Sequence, residues 1–162
     1  MENVRVTLDD GRVLDCPGNT PVSTLLESPQ SPEGLPYIGA QVNNDVSSLS
    51  YPLTVNSTVR FLTMSDPHGW RIYRRSLSFL LGMASKKLFP GRHLIIGHSL
   101  GDGYYYYYNG MSGIPDEDIK LLEEEMKRLV EQKLPISRQV ISYDEALEKV
   151  KQENLPATAL LL

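Results

Sequence analysis

The sequence holds a single cysteine, Cys16, among 162 residues. An internal disulfide is excluded, and a reducing compartment is the natural setting. No apolar run approaches the roughly 20 residues that a membrane-spanning helix needs. The opening Met1-Glu2-Asn3-Val4 lacks the charged-then-apolar pattern of a secretion signal and leads straight into a strand. A cytoplasmic protein with no membrane partner is expected. Neither a Gly-x-x-x-x-Gly-Lys-Ser/Thr loop nor a Gly-x-Gly-x-x-Gly turn occurs, so both common phosphate-cradling devices are missing. With one cysteine, no cysteine cluster can hold a metal. Of the three histidines, His93 and His98 are five apart, which places them on opposite faces of a regular strand and makes them poor co-ligands. A triad of Ser99, His98 and Asp102 fails because neighbours on a strand point apart. A basic excess is absent too. The net charge of −4 and pI near 5.4 argue against a general nucleic-acid clamp but leave room for a local basic patch. No complete catalytic site, metal site or cofactor site is expected in these residues.

What is present reads as a folded α+β chain, with 41% hydrophobic and 22% charged residues. Val4–Leu8 alternates apolar and polar, as a half-buried strand does. Asp9-Asp10-Gly11 is a hairpin signal and Arg12–Cys16 the returning strand. Thr20-Pro21 reads as an N-cap followed by proline at the first helical position, opening a short helix with Val22, Leu25 and Leu26 inward. Ser28–Pro36 is proline-rich loop. Ile38–Val42 is a third strand with a turn at Asn43-Asn44-Asp45, and Thr58–Leu62 a last one after Pro52-Leu53. Two strands, a helix and more strands within about 60 residues suggest a β-grasp, ubiquitin-like module. A domain 1–64, a linker 65–69 and a second domain 70–162 follow from the change of pattern.

From Trp70 the apolar residues Tyr73, Leu77, Leu80, Leu81, Ala84 and Leu88 recur at helical steps, ending at Phe89-Pro90-Gly91. His93–Gly97 and Tyr104–Tyr108 read as strands around Gly101-Asp102-Gly103. Asp116 and Glu117 load the first turn of a helix whose stripe is Ile119, Leu122, Met126, Leu129 and Val130. Ser137–Ile141 is expected as a strand, and Ser142 with Glu145 as a capping box for a helix at about 143–152. Ala159–Leu162 is apolar with nothing after it, which leads to the expectation that the domain is truncated there.

Residues 4–63 resemble a TGS domain, the β-grasp module that opens threonyl-tRNA synthetases. The resemblance rests on Asp10-Gly11, Pro21-Val22, Gln41-Val42-Asn43, Pro52-Leu53 and Val59–Leu62. Residues 70–162 resemble the two-layer editing domain shared by threonyl- and alanyl-tRNA synthetases, through Lys86–Pro90, Ile96-Gly97, Asp102–Tyr106, Pro115–Asp118 and Leu134-Pro135. The editing family carries His-x-x-x-His on the first helix of this domain. Registering Lys87–Pro90 puts those positions at Arg75 and Phe79, neither of which can serve as a zinc ligand or a neutral-pH base. The run Gly69–Leu80, with Phe89-Pro90-Gly91 and His98-Ser99-Leu100, is similar to the N-terminal half of a bacterial uridine kinase-like family. That resemblance implies a non-catalytic accessory region, with a nucleotide or RNA regulator or the kinase domain in cis as partner. ATP and magnesium chemistry would lie downstream of Leu162. The alternatives are the N-terminal region of a threonyl-tRNA synthetase with a degenerate editing domain, or a free-standing RNA or protein adaptor.

The candidate ligand- and anion-binding residues are Arg71, Tyr73, Arg74, Arg75, His98, Asp102 and Tyr105. Three guanidinium groups near a helix start can grip phosphate by bidentate hydrogen bonding. They also oppose the helix dipole and call for an anion, either a ligand or Asp66 or Asp102. The competing expectation is internal ion pairing to those carboxylates or to Glu123–Glu125. The tyrosines can stack on bases, or alternate between core and wet face. Phe79 is expected to fill the cleft as core.

Overall fold

Alternation in the first strand sets the first sheet. In β1 (Asn3–Leu8), Val4, Val6 and Leu8 are buried and the residues between them exposed. β2 (Val13–Pro17) returns antiparallel, with Val6 opposite Leu14, after a loop in which Gly11 takes φ +87°. That left-handed conformation is one glycine adopts without strain. The computed structural model describes residues 2–134 and 139–153. They fall into two compact units, Met1–Arg128 and Leu129–Leu162.

The strand expected from Ile38 is β4 (Gly39–Val42), and the next strand, β5 (Asp45–Ser47), pairs with it. Between them Asn43 and Asn44 both take positive φ, 48° and 72°. Two left-handed residues give a turn whose twist matches the flanking strands. β7 (Ser57–Leu62) inserts between β4 and β1, antiparallel to the former and parallel to the latter. The sheet order is β2-β1-β7-β4-β5. The helix expected after Thr20-Pro21 is instead a single 3-10 turn, Val22–Leu25, and neither residue caps it by a side chain. Thr20-Pro21 forms a two-residue strand, β3, against Pro52-Leu53, β6. Pairing across the chain has overridden the local capping signal. Val22 and Leu25 nevertheless point inward as expected. They join Val4, Val6, Leu8, Ala40, Val42, Leu53 and Val59 in one core, each valine or leucine contributing about 1.5–3 kcal/mol by full burial.

The residues expected as a linker, 65–69, form a tight turn and the first turn of α1 (Pro67–Leu88). Asp66 sits at the N-cap, yet its carboxylate turns back to the Thr63 amide (3.0 Å) and to Arg60 (2.5 Å). Gly69 is buried against the end of β7 so closely that a Cβ would lie 1.8 Å from the Thr63 carbonyl oxygen. Beyond α1, β8 (Leu94–Leu100) and β9 (Gly103–Tyr108) make an antiparallel hairpin. Its register slips between Ile96 and Ser99, which inserts one extra residue into β8. α2 (Asp116–Glu131) carries Asp116, Glu117 and Asp118 in its first turn. Of its expected stripe Leu122 and Leu129 are buried, while Ile119 and Val130 are exposed.

In the second unit α3 (Tyr143–Gln152) starts at Ser142, whose hydroxyl accepts the Glu145 amide at 3.2 Å, the expected cap. The strand expected at Ser137–Ile141 is not formed at 139–141, and its first two residues lie outside the described ones. Ala159–Leu162 lies outside them as well. Among the described residues no helix is long and apolar enough to cross a membrane.

Candidate functional site

Helix α1 distributes the candidate arginines by its 3.6-residue period. Arg74 and Ser78 share the face that meets the hairpin. The Arg74 guanidinium lies 4.4 Å from the centroid of the Tyr104 ring and donates through Nη2 to the Gly103 carbonyl at 3.1 Å. Its Nε is buried without a hydrogen-bond partner among the described residues. One turn on, the Ser78 hydroxyl bonds the Tyr106 hydroxyl at 2.7 Å. Arg75 is exposed. Arg71, also exposed, reaches only the Pro67 carbonyl and His68 Nδ1, both at 3.4 Å. Tyr73 stacks on Trp70 at 5.6 Å and belongs to a local aromatic pair rather than to the arginine group.

The internal ion pairs expected for these arginines are absent among the described residues. Arg60 takes Asp66, Lys127 takes Glu123, and Lys87 with Arg128 takes Glu125. Asp102 is exposed at the hairpin tip and forms no ion pair among the described residues. Burial pushes the Asp66 carboxyl up, but the Thr63 amide and Arg60 together outweigh it and hold it below its ordinary range. Glu125 is likewise held low, first by hydrogen bonding from Arg128, against burial, with Lys87 adding. The reason the arginines stay unpaired is positional. α1 begins at Pro67, three residues before the expected start, so Arg71, Arg74 and Arg75 stand in its second and third turns. There the dipole penalty has largely faded and no compensating carboxylate is required.

Phe79, expected as core, is 55% exposed. It lies a turn beyond Arg75, off the Arg74–Ser78 face that packs on the hairpin, so it plugs no cleft. These two positions do not fit a metal. Guanidinium is cationic and phenyl has no donor atom. Among the described residues no three His, Cys, Asp or Glu side chains converge as a metal site.

On the hairpin the tyrosines alternate. Tyr108 is buried against Phe89, and Tyr104 and Tyr106 meet α1. Tyr105 and Tyr107 take the other face. The slip in β8 brings His98 onto that second face, where it stacks on Tyr105 at 5.6 Å. Opposite faces for His93 and His98 require a regular strand, and the bulge between Ile96 and Ser99 makes β8 irregular. The seven candidates thus divide: Arg71, Arg74 and Arg75 on α1, His98 and Tyr105 on the hairpin's outer face, and Asp102 and Tyr73 in neither group.

A further signal lies in the spacing of charge along the sequence. Residues 67–101 contain six of the sixteen Lys and Arg residues and none of the twenty Asp and Glu. This acid-free stretch is α1 and β8, and it extends the cationic group to Lys86, Lys87 and Arg92. Arg92 pairs with Asp118, and Lys87 with Glu125.

No family model matches the chain. It is similar to threonine–tRNA ligases: 31% identical over 151 residues to that of Desulforamulus reducens, 30% over 153 to that of Acetivibrio thermocellus, and 32% over 149 to that of Natranaerobius thermophilus. These alignments take in 92–94% of the chain. None of these relatives is named a kinase, so the uridine kinase-like resemblance of the Gly69–Leu80 run gains no support from them. The chain spans about a quarter of the length of the curated relatives it matches, so it is similar over nearly its whole extent to one part of a threonine–tRNA ligase.

Proposed function

We propose that the chain is the RNA-contacting accessory region of a threonine–tRNA ligase-type protein, with an editing-like domain that no longer edits. In this reading residues 1–64 are a β-grasp module of the TGS type. The parallel β1–β7 pair at the centre of a five-stranded sheet supports it. Residues from 70 onward are the editing-like domain, with Arg75 and Phe79 at the positions of the family's histidine pair. The observation that carries the RNA reading is charge placement. A chain with net charge −4 keeps an acid-free stretch over 67–101 and leaves Arg71, Arg74 and Arg75 without a carboxylate among the described residues. Guanidinium groups without a carboxylate partner are matched to phosphate by geometry as well as charge.

The test is equilibrium binding of the 162-residue chain to a threonine tRNA transcript over a series of salt concentrations. Each contacted phosphate contributes about 0.9 to the slope of log affinity against log salt. The Arg71→Ala, Arg75→Ala double variant is expected to bind more weakly and to lower that slope by about two. A wild-type chain that binds no tRNA at low salt, or a double variant that matches wild type, overturns the reading.

A further inference from the structure

The outer face of the β8–β9 hairpin carries three rings in a row. His98 and Tyr105 are 5.6 Å apart at 26°, and Tyr105 and Tyr107 are 5.8 Å apart at 28°. Two sequence features build this ladder. The extra residue in β8 re-aims His98 onto the face of the odd-numbered tyrosines. Gly97 beside it supplies the space, since a Cβ there would stand 3.3 Å from Tyr107 Cε1 and 3.4 Å from Tyr105 Cδ1. The Tyr105 hydroxyl donates to the Ser112 carbonyl, which fixes the middle ring. Two of the rings stay accessible, Tyr105 at 37% and His98, while Tyr107 is half-buried.

We propose that His98, Tyr105 and Tyr107 form a stacking platform for unpaired bases of RNA. The proposal rests on the RNA reading above and adds the class of nucleotide recognised. Aromatic rings take any base by its π-face, which suits single strands and excludes a duplex whose bases are already stacked. Charge on the hairpin is consistent with this occupant. Neither strand contains an acidic residue, and the hairpin's one carboxylate, Asp102, stands at the tip between them. A strand of this length spans about 20 Å, enough for two or three nucleotides.

The experiment uses the full 162-residue chain and three RNA probes: a single-stranded oligonucleotide, an abasic strand of equal length, and a perfect duplex. His98→Ala, which removes only the Tyr105 contact, is expected to weaken single-strand binding about five- to hundredfold, the worth of one stacked base. It leaves abasic and duplex binding unchanged, and His98→Phe restores the single-strand affinity. With His98→Trp, the single strand quenches the indole emission and the abasic strand does not. The platform is overturned if His98→Ala binds all three probes as wild type does, or if a proline-rich peptide quenches the His98→Trp signal and RNA does not. If all three probes bind wild type equally and only the Arg71→Ala, Arg75→Ala variant loses affinity, the phosphate reading stands and the platform alone falls. If wild type binds none of them, both fall.

Discussion

Two glycines in the same helix should respond to alanine with opposite signs. Gly69 lies in the first turn of α1, and a Cβ there would be 1.8 Å from the Thr63 carbonyl oxygen and 2.7 Å from its carbon. Relief requires more than an ångström of backbone movement, because both atoms are main chain. Overpacking of this kind costs about 1–3 kcal/mol, occasionally more. The movement also strains the corner in which the Thr63 amide, the Asp66 carboxylate and Arg60 are bonded, where a charged hydrogen bond is worth about 1.5–3 kcal/mol. Helix propensity returns about 0.8–1 kcal/mol. The net expectation for Gly69→Ala is a loss of about 2 kcal/mol or more, a fall of roughly 4–8 °C in Tm for a chain of this size. Gly82, in the same helix, has nothing within 4 Å of its Cβ position. Gly82→Ala therefore keeps the propensity term alone and should gain up to about 1 kcal/mol. Urea titrations of the two variants at unchanged m-value make the comparison. A Gly69→Ala protein as stable as Gly82→Ala would show that α1 does not seat on the end of β7.

Asp66 predicts an acid limb. Its folded pKa is depressed, so its contribution is present above the unfolded value of about 3.9 and is lost as pH falls through the folded one. Asp66→Asn should be less stable than wild type at neutral pH and converge on it in strong acid, as urea midpoints against pH will report; a constant difference at all pH values refutes the assignment. Phe79→Ala should cost less than about 1 kcal/mol, against the 3–5 kcal/mol of a core phenylalanine, and a large drop in Tm would return Phe79 to the core. Gly97→Ala should disturb the rings of Tyr105 and Tyr107 and change the near-ultraviolet circular dichroism while the far-ultraviolet spectrum holds; an unchanged near-ultraviolet spectrum counts against the packing over Gly97.

Patterns that act within a few residues were legible in the sequence. The alternation of Val4, Val6 and Leu8, the Ser142 cap and the acidic start of α2 all lie in such windows, and each appears in the structure. Thr20-Pro21 carried an equally clear local signal and was overruled, because Pro52-Leu53 offered it strand pairing from over 30 residues away. At the site, the residue types were readable and their grouping was not. A helical period correctly separates Arg74 from Arg75, but only tertiary packing decides that Arg74 meets Tyr104 while Phe79 meets solvent. The position of His98 depended on one inserted residue in β8; a glycine inside a strand, as Gly97 is, marks a bulge or a close approach without saying which or where the extra residue falls.

The parallel pairing of β1 with β7 has a consequence in time. The β1–β2 hairpin closes within its first 17 residues, yet β1's other neighbour is not synthesised until residues 57–62. At ribosomal rates of about 5–20 residues per second the interval is roughly two to nine seconds, whereas a hairpin forms in microseconds. An isolated hairpin is marginal in water. During nascent growth one backbone edge of β1 therefore waits unpaired for a strand that follows about 40 residues later, and an open strand edge is a template for pairing with other chains.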